Sequence, residues 1–518
     1  MAHAFRSGKL PWKLNDAAAG LNGQMKVPKR NWNRGGLSGS MSRQMQHTFM
    51  WQYVDALSKE HPSRGRCLDW DGWYGGSIFR TLCDEVDVLI YAQPFGRAPQ
   101  RSLPRAAGGA HPPKARWWYA DAHSMASYLP NNAFDLIIAN SVFEHIERPF
   151  VAMRQVYALL RPGGRLFWHT PFYYEMHGVP HDYYRYTAHA ARLLAEASGL
   201  NVEYSHADGG YPGVLGHVVG LSAKFFSTAE LTAGTGEPRH GGLYLSTRMV
   251  ARKASTSAPA PAVHALGGEV ERAQARGRAA DTAASCAPVT SAGFAASVRR
   301  AWRNGRLPLG GGGDASTSVL GHLRHRFWQR TLAAEGSATA RAGTRRCLHW
   351  APAQEGGTGT AAAALHSLCD ELITTTTLED INMPAGVPPA FDVVLSSAAF
   401  SRTREPLAAM KRVAELLRAR SGRLLWHEPF SRADQGGGDL WRFTTSAARS
   451  VASSSGLDVV ELSADGGYGA VLCDTIGLPP NDTALWGDDG LSRGADVSTQ
   501  RGGGHYLATA MIARCCTA

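Results

Sequence analysis

Short apolar runs alternate with amphipathic stretches along the first half of the chain. Arg66–Trp70, Val86–Tyr91, Trp117–Ala120, Phe134–Asn140, Arg165–His169, Asn201–Ser205 and Leu243–Ala251 read as strands. Helical spacing runs over Gln44–Ser58, Ser77–Glu85, Phe150–Leu160 and Ala188–Ser198. Arg161-Pro162-Gly163-Gly164 stops the third of these helices and Gly199 ends the fourth. Near-continuous apolar strands alternating with helices predict an α/β fold with a parallel sheet covered on both faces. In such a sheet ligands sit beyond the carboxyl ends of the strands. Asp69, Asp121, Asn140 and His169 stand at or near those ends.

The pattern then recurs. Phe134-Asp135-Leu136-Ile137-Ile138 returns as Phe391-Asp392-Val393-Val394-Leu395. Gly164-Arg165-Leu166-Phe167-Trp168-His169 returns as Gly422-Arg423-Leu424-Leu425-Trp426-His427. Asp182-Tyr183-Tyr184-Arg185-Tyr186-Thr187 returns as Asp439-Leu440-Trp441-Arg442-Phe443-Thr444, and Asp208-Gly209-Gly210-Tyr211 as Asp465-Gly466-Gly467-Tyr468. The separation is far longer than a solenoid repeat, so the expectation is two homologous domains. Their boundaries are set at 44–253 and 318–516, joined by an Ala/Ser/Pro/Gly-rich linker over 254–317 and preceded by a basic arm over 1–43. A chain of 518 residues suits that division.

Composition adds three constraints. No apolar run approaches the roughly 20 residues that span a bilayer, and no secretory n-region and h-region open the chain. The formal net charge is +11, with Arg6, Lys9, Lys13, Lys26, Lys29, Arg30, Arg34 and Arg43 in an arm whose one acid is Asp16. Such an arm fits a nucleic acid or anionic surface as partner, an organellar transit peptide, or a solvated tail. Arg30–Leu37 resembles Arg300–Leu307, and an internal copy is not a targeting signal, so only the residues before it remain open to the transit-peptide reading. Cys67 matches Cys347 and Cys83 matches Cys369 in apolar surroundings, without zinc-ligand spacing. These read as buried free thiols in a reducing, cytoplasmic setting, with a mitochondrion or plastid as the alternative compartment. No metal site is expected.

Phe134–Ile146, an apolar strand ending in Asn140-Ser141 and then Glu144-His145, resembles the fourth-strand segment of class I S-adenosylmethionine-dependent methyltransferases. Leu160-Arg161-Pro162-Gly163-Gly164 resembles that family's turn into the fifth strand, and Asp121-Ala122 its third-strand end. His181-Asp182-Tyr183-Tyr184-Arg185-Tyr186-Thr187 is similar to the Asp-Tyr-Trp-Arg-Tyr-Thr signature of a type 11-like subset. The resemblance implies two Rossmann-like domains, each a mostly parallel sheet with an antiparallel strand near its C-terminus. It implies S-adenosyl-L-methionine as cofactor, held by Asp69, Gly72, Gly75, Asp121, Ala122, Asn140, Ser141 and Glu144, and leaves the methyl acceptor unnamed. Methyl transfer is an in-line displacement at an activated carbon, so alignment and water exclusion dominate. A base is needed only where the acceptor must lose a proton; His145, His169 and His181 are the candidates.

Each of these has a structural alternative. Glu144-His145 fits a helix cap, His169 a shared buried hydrogen bond, and Asp182 with Arg185 a salt bridge at a helix start as well as an acceptor wall. The first loop departs from the family: in Asp69-Trp70-Asp71-Gly72-Trp73-Tyr74-Gly75-Gly76 the first two glycine positions hold Asp71 and Trp73. The second copy departs further, with His349 for Asp69 and Ser401-Arg402 for Glu144-His145. The expectation is a catalytic first domain packed against a non-catalytic second. The alternative is a catalytically inactive scaffold or RNA-binding protein.

Overall fold

A computed structural model describes residues 65–70, 83–91, 96–97, 115–177, 181–218 and 242–255 of the first half. In the second it describes 345–352, 369–378, 390–418, 421–432, 434, 438–467, 470–471, 474–475 and 506–515, with some positions between 320 and 331. The basic arm, the helix expected over Gln44–Ser58, the loop holding Gly72 and Gly75, and nearly all of the linker lie outside the described residues.

The first half builds β1 (Gly65–Trp70), β2 (Cys83–Ile90), β3 (Gly96–Arg97), β4 (Ala115–Tyr119), β5 (Phe134–Asn140), α1 (Pro149–Leu159), β6 (Leu160–Pro171), β7 (Tyr184–Tyr186), α2 (Ala188–Glu196), β8 (Leu200–Asp208), α3 (Gly210–Val218) and β9 (Ser246–Lys253). All but β7 of these strands form one sheet in the order β3-β4-β2-β1-β5-β6-β9-β8. Strands β4, β2, β1, β5 and β6 run parallel, and β9 is antiparallel to both β6 and β8. The fold is thus Rossmann-like α/β, with the expected antiparallel strand near the end.

The second half builds β10 (Arg346–Trp350), β11 (Glu371–Thr375), β12 (Val393–Ser397), α4 (Pro406–Arg418), β13 (Arg423–Pro429), β14 (Trp441–Phe443), α5 (Thr445–Ser453), β15 (Leu457–Asp465) and β16 (Ala508–Cys515). Its sheet order, β11-β10-β12-β13-β16-β15, has the pattern of β2-β1-β5-β6-β9-β8. Gly209 and Gly466 take φ of +86° and +72°, so the Asp-Gly-Gly runs are turns that need glycine.

Three sequence expectations are corrected. Cys83–Glu85 are not the end of a helix but the start of β2, whose partner is β1. The cysteines are not free thiols: Cys67 is bonded to Cys83 and Cys347 to Cys369, each pair with Cα atoms 5.9 Å apart. Cys67 in β1 is tied to the first residue of β2, and Cys347 in β10 to the residue two before β11, a proximity created by strand pairing. Asp182 and Arg185 do not open a helix; Arg185 is the centre of β7, and Thr187 caps α2 by accepting from the Ala190 N–H at 3.1 Å.

Strand β7 pairs with β14 across the two halves, antiparallel, with Tyr184 opposite Phe443, Arg185 opposite Arg442 and Tyr186 opposite Trp441. The surrounding bonds repeat with the halves exchanged. Thr187 Oγ1 donates to the Asp439 carbonyl at 2.8 Å, and Thr444 Oγ1 to that of Asp182 at 2.5 Å. The Arg185 guanidinium lies 5.2 Å from the Phe430 ring centre and that of Arg442 5.1 Å from Phe172. Two guanidinium groups facing each other in a sheet repel. Each is neutralised by the acid three residues before it: Arg185 binds Asp182 at 2.5 and 2.8 Å, and Arg442 binds Asp439 at 2.6 and 2.8 Å. One apolar cluster runs from Leu68, Phe143 and Trp168 to Phe400, Trp426 and Trp441, so the two sheets share a core.

Two outcomes are expected. Peptide mass mapping without reduction should recover Cys67 linked to Cys83 and Cys347 linked to Cys369. Arg442→Met should cost about 3–5 kcal/mol in denaturant unfolding, because it strands a buried Asp439 carboxylate.

Candidate functional site

Strands β1 and β5 end side by side, with Asp69 in register with Ile138 and Trp70 with Ala139. Asp69 is buried at the end of β1 and Asn140 at the end of β5. Ser141 then takes φ +53°, a left-handed conformation uncommon outside glycine, and Ala398 repeats it at +51° in the second half. This kink turns the chain into a 3-10 turn, Phe143–His145. Its Phe143 ring packs edge-on against Trp70 at 5.5 Å and Trp168 at 5.8 Å. The Tyr186 hydroxyl donates to the Phe143 carbonyl at 2.8 Å and the Tyr183 N–H to the Glu144 carbonyl at 2.7 Å. The turn is therefore fastened both to the core and to the strand that joins the two halves.

Asp121 follows β4 at the same edge of the sheet, with Ala122 buried beside it. Asp121 Oδ1 accepts from the His123 backbone N–H at 2.8 Å and from His123 Nδ1 at 2.6 Å, while His123 Nε2 accepts from the Arg148 N–H at 3.1 Å. This relay sets the imidazole tautomer and ties the loop after β4 to the start of α1. It leaves Asp121 Oδ2 with no partner among the described residues.

The three histidines separate. His169 is buried in mid-sheet, in register with Asn140 on one side and Arg248 on the other. His181 is exposed and contributes its backbone carbonyl, which bonds to His145 Nδ1 at 2.6 Å. His145 stands next to Glu144, with Nε2 3.9 Å from Glu144 Oε1. Glu144 is not a helix cap: it is fully buried, and neither carboxylate oxygen has a hydrogen-bond partner among the described residues. Burial raises its pKa above the usual carboxylate range, opposed only in part by His145 and His177.

His177 is the residue that sequence reasoning missed. Its ring meets that of His145 edge-on at 5.0 Å. Its N–H donates to Asp182 Oδ2 at 2.6 Å, and its Nδ1 lies 3.3 Å from the same oxygen. Burial depresses this imidazole most, but the hydrogen bond to Asp182 together with the nearby charges of Asp182 and Glu144 raises its pKa on balance. Burial likewise opposes charge on Asp182, yet Arg185 and His177 hold its pKa well below the normal range. The local signal was the His177-Gly178 pair after the β6 aromatic run, which carries no metal or base spacing of its own.

The second half treats the same place differently. His349, where the first half has Asp69, has Nε2 3.3 Å from Ser397 Oγ. Ser401 replaces Glu144, and a carboxylate arrives instead from β13. Glu428 accepts from Ser396 Oγ at 3.0 Å and from the N–H groups of Phe400 and Ser401 at 3.1 and 3.0 Å. Its negative charge is used to hold the turn.

Residues 41–207 match the family model described as a methyltransferase domain. The chain is similar to the tRNA 5-carboxymethoxyuridine methyltransferase of Escherichia coli K12, 26% identical over 150 residues, covering 27% of this chain and 52% of that protein. The chain thus spans about half the length of the curated relative it matches. Among solved structures it is similar to an S-adenosylmethionine-dependent methyltransferase of Mesorhizobium loti, at 15% identity, TM-score 0.27, 42% of this chain and 100% of that one. It is also similar to the 1,6-didemethyltoxoflavin-N1-methyltransferase of Burkholderia thailandensis, solved with S-adenosylhomocysteine, at 15% identity, TM-score 0.24, and 40% and 78% coverage. Residues 41–207 of this chain therefore resemble a methyltransferase domain in sequence, on a sheet of Rossmann-like order.

Proposed function

We propose that the first half transfers a methyl group from S-adenosylmethionine to an acceptor bound at the carboxyl edge of β1 and β5, and that the second half is a non-catalytic partner. The observation that carries this reading is the placement of Asp69, Asn140 and the kinked Ser141 at adjacent strand ends within the matched domain. The cofactor would supply an activated methyl carbon, which leaves the protein to bind, align and exclude water. It presents hydrogen-bond donors: an adenine amine, a ribose diol and an ammonium. The acceptors facing that edge suit them, with Asp121 Oδ2 assigned to the adenine beside Ala122 and Asp69 to the amino-acid or ribose end. Gly72 and Gly75 are assigned to the loop that closes over it.

The base assignment narrows by exposure. His169 is 1% exposed and is read as structural. His145, on the turn beyond β5, is the histidine best placed to take a proton from an acceptor, with His181 as the more exposed alternative. The non-catalytic reading of the second half rests on His349 in place of Asp69, and on a Glu428 carboxylate already committed to three donors. The acceptor stays open. The matched Escherichia coli protein is named for a tRNA uridine, and the basic arm over 1–43 suits a polyanionic acceptor.

Calorimetric titration of S-adenosylmethionine into the full chain should give one site per chain, and Asp69→Asn should weaken it at least tenfold. Heat for two sites would overturn the non-catalytic second half. No heat at millimolar cofactor would sink methyl transfer and leave the scaffold reading.

A further inference from the structure

We propose that Glu144, His145 and His177 form a binding site for one divalent transition-metal ion. The donor atoms of these three side chains all lie within 4.8 Å of one another. A tetrahedral site with bonds of about 2.0–2.1 Å has donor–donor edges of about 3.3 Å. Rotations about the χ angles of two half-buried imidazoles close that difference.

The strongest observation is the state of Glu144. A fully buried carboxylate with neither oxygen hydrogen-bonded among the described residues is costly unless something pairs with it. Among the described residues, the imidazoles of His145 and His177 bring donor atoms within 4.8 Å of it. Each ring is also held from behind in the way metal-binding histidines are held. A ligating histidine engages a carboxylate or backbone carbonyl through its other ring nitrogen, and this partner orients the ring. Here His145 Nδ1 is 2.6 Å from the His181 carbonyl, leaving Nε2 toward Glu144. His177 Nδ1 is engaged by Asp182 Oδ2 at 3.3 Å and the Glu175 carbonyl at 3.2 Å, leaving Nε2 for the cluster.

Charge favours a cation. Arg185 approaches His177 Nδ1 at 3.5 Å, but it is paired with Asp182 through both nitrogens. With neutral imidazoles the group Glu144, Asp182 and Arg185 carries one net negative charge. Two imidazoles and one carboxylate select a zinc-class ion (zinc, cobalt, iron or nickel) over magnesium or calcium. Three protein donors leave a coordination position open to water or another ligand. The second half cannot repeat the site, because Ser401 and Arg402 stand where Glu144 and His145 do. The spacing of the ligands hid them: Glu144 and His145 are adjacent on a turn, and His177 reaches them from the loop after β6. The site rests on its own donors and not on the methyl-transfer reading; with the ion bound, His145 Nε2 is a ligand and the proton-accepting role passes to His181.

The test uses the full chain without an affinity tag, stripped by a chelator and dialysed. Cobalt(II) is titrated in, followed by visible d–d absorption and by elemental analysis of bound metal. The expected result is one cobalt per chain, displaced by zinc, with a rise in melting temperature. His145→Asn and His177→Asn should each weaken binding at least tenfold while far-ultraviolet circular dichroism is unchanged; His189→Ala, on the exposed face of α2, should leave binding as it is. Absence of bound cobalt in the wild-type chain overturns the proposal without recourse to any variant. So does cobalt that the folded double variant H145N/H177N retains. Neither result bears on the calorimetric titration of S-adenosylmethionine, so the two readings fail separately.

Discussion

The antiparallel contact of Tyr184–Tyr186 with Trp441–Phe443 is the constraint on which the rest of the described structure depends. It places two fully buried arginines opposite each other in a low-dielectric core. Neither could stay there alone. Each has an aspartate three residues earlier, bound through two nitrogens, and each rests on an aromatic ring of the opposite half. Burying such pairs is a weak source of stability against an apolar alternative, but removing one member is expensive. What the arrangement supplies is specificity: the register that makes both threonine bonds also seats each guanidinium on an aromatic ring of the other half.

That contact reaches the site directly. Tyr186, in the joining strand, holds the Phe143 carbonyl, and Tyr183 holds that of Glu144. The turn after β5 is thus held by the segment whose strand β7 pairs with the other half, as well as by its own sheet. The second half has the matching bond, from the Leu440 N–H to the Ser401 carbonyl at 2.8 Å. The scaffold is therefore shared, while the side chains it presents differ. One turn carries a buried carboxylate with no hydrogen-bond partner beside two imidazoles. The other carries a serine, and its carboxylate comes from the strand and is consumed by local amides.

Much of the fold was legible in local pattern. Phe134–Asn140 has the bounds read from its apolar run, and α1 and α2 lie within a residue or two of their expected limits. The Asp-Gly-Gly turns were readable because glycine acts on its own φ angle. Asp69, Asp121 and Asn140 were legible as residues at or just beyond the carboxyl ends of strands. The failures were of another kind. The β2 boundary was misread because Cys83-Asp84-Glu85 has no strand pattern until β1 lies beside it.

By itself, then, the sequence determined the class of the fold, the repetition of its core and the residues that stand at its strand ends. Those properties depend on periodicity and on residues that act within a few positions of themselves. Only the tertiary structure decided the rest: the pairing of Cys67 with Cys83 and of Cys347 with Cys369, the meeting of β7 with β14, and the approach of His177 to Glu144 and His145. Each joins groups far apart along the chain. Their proximity follows from strand order and loop path, which no local pattern encodes.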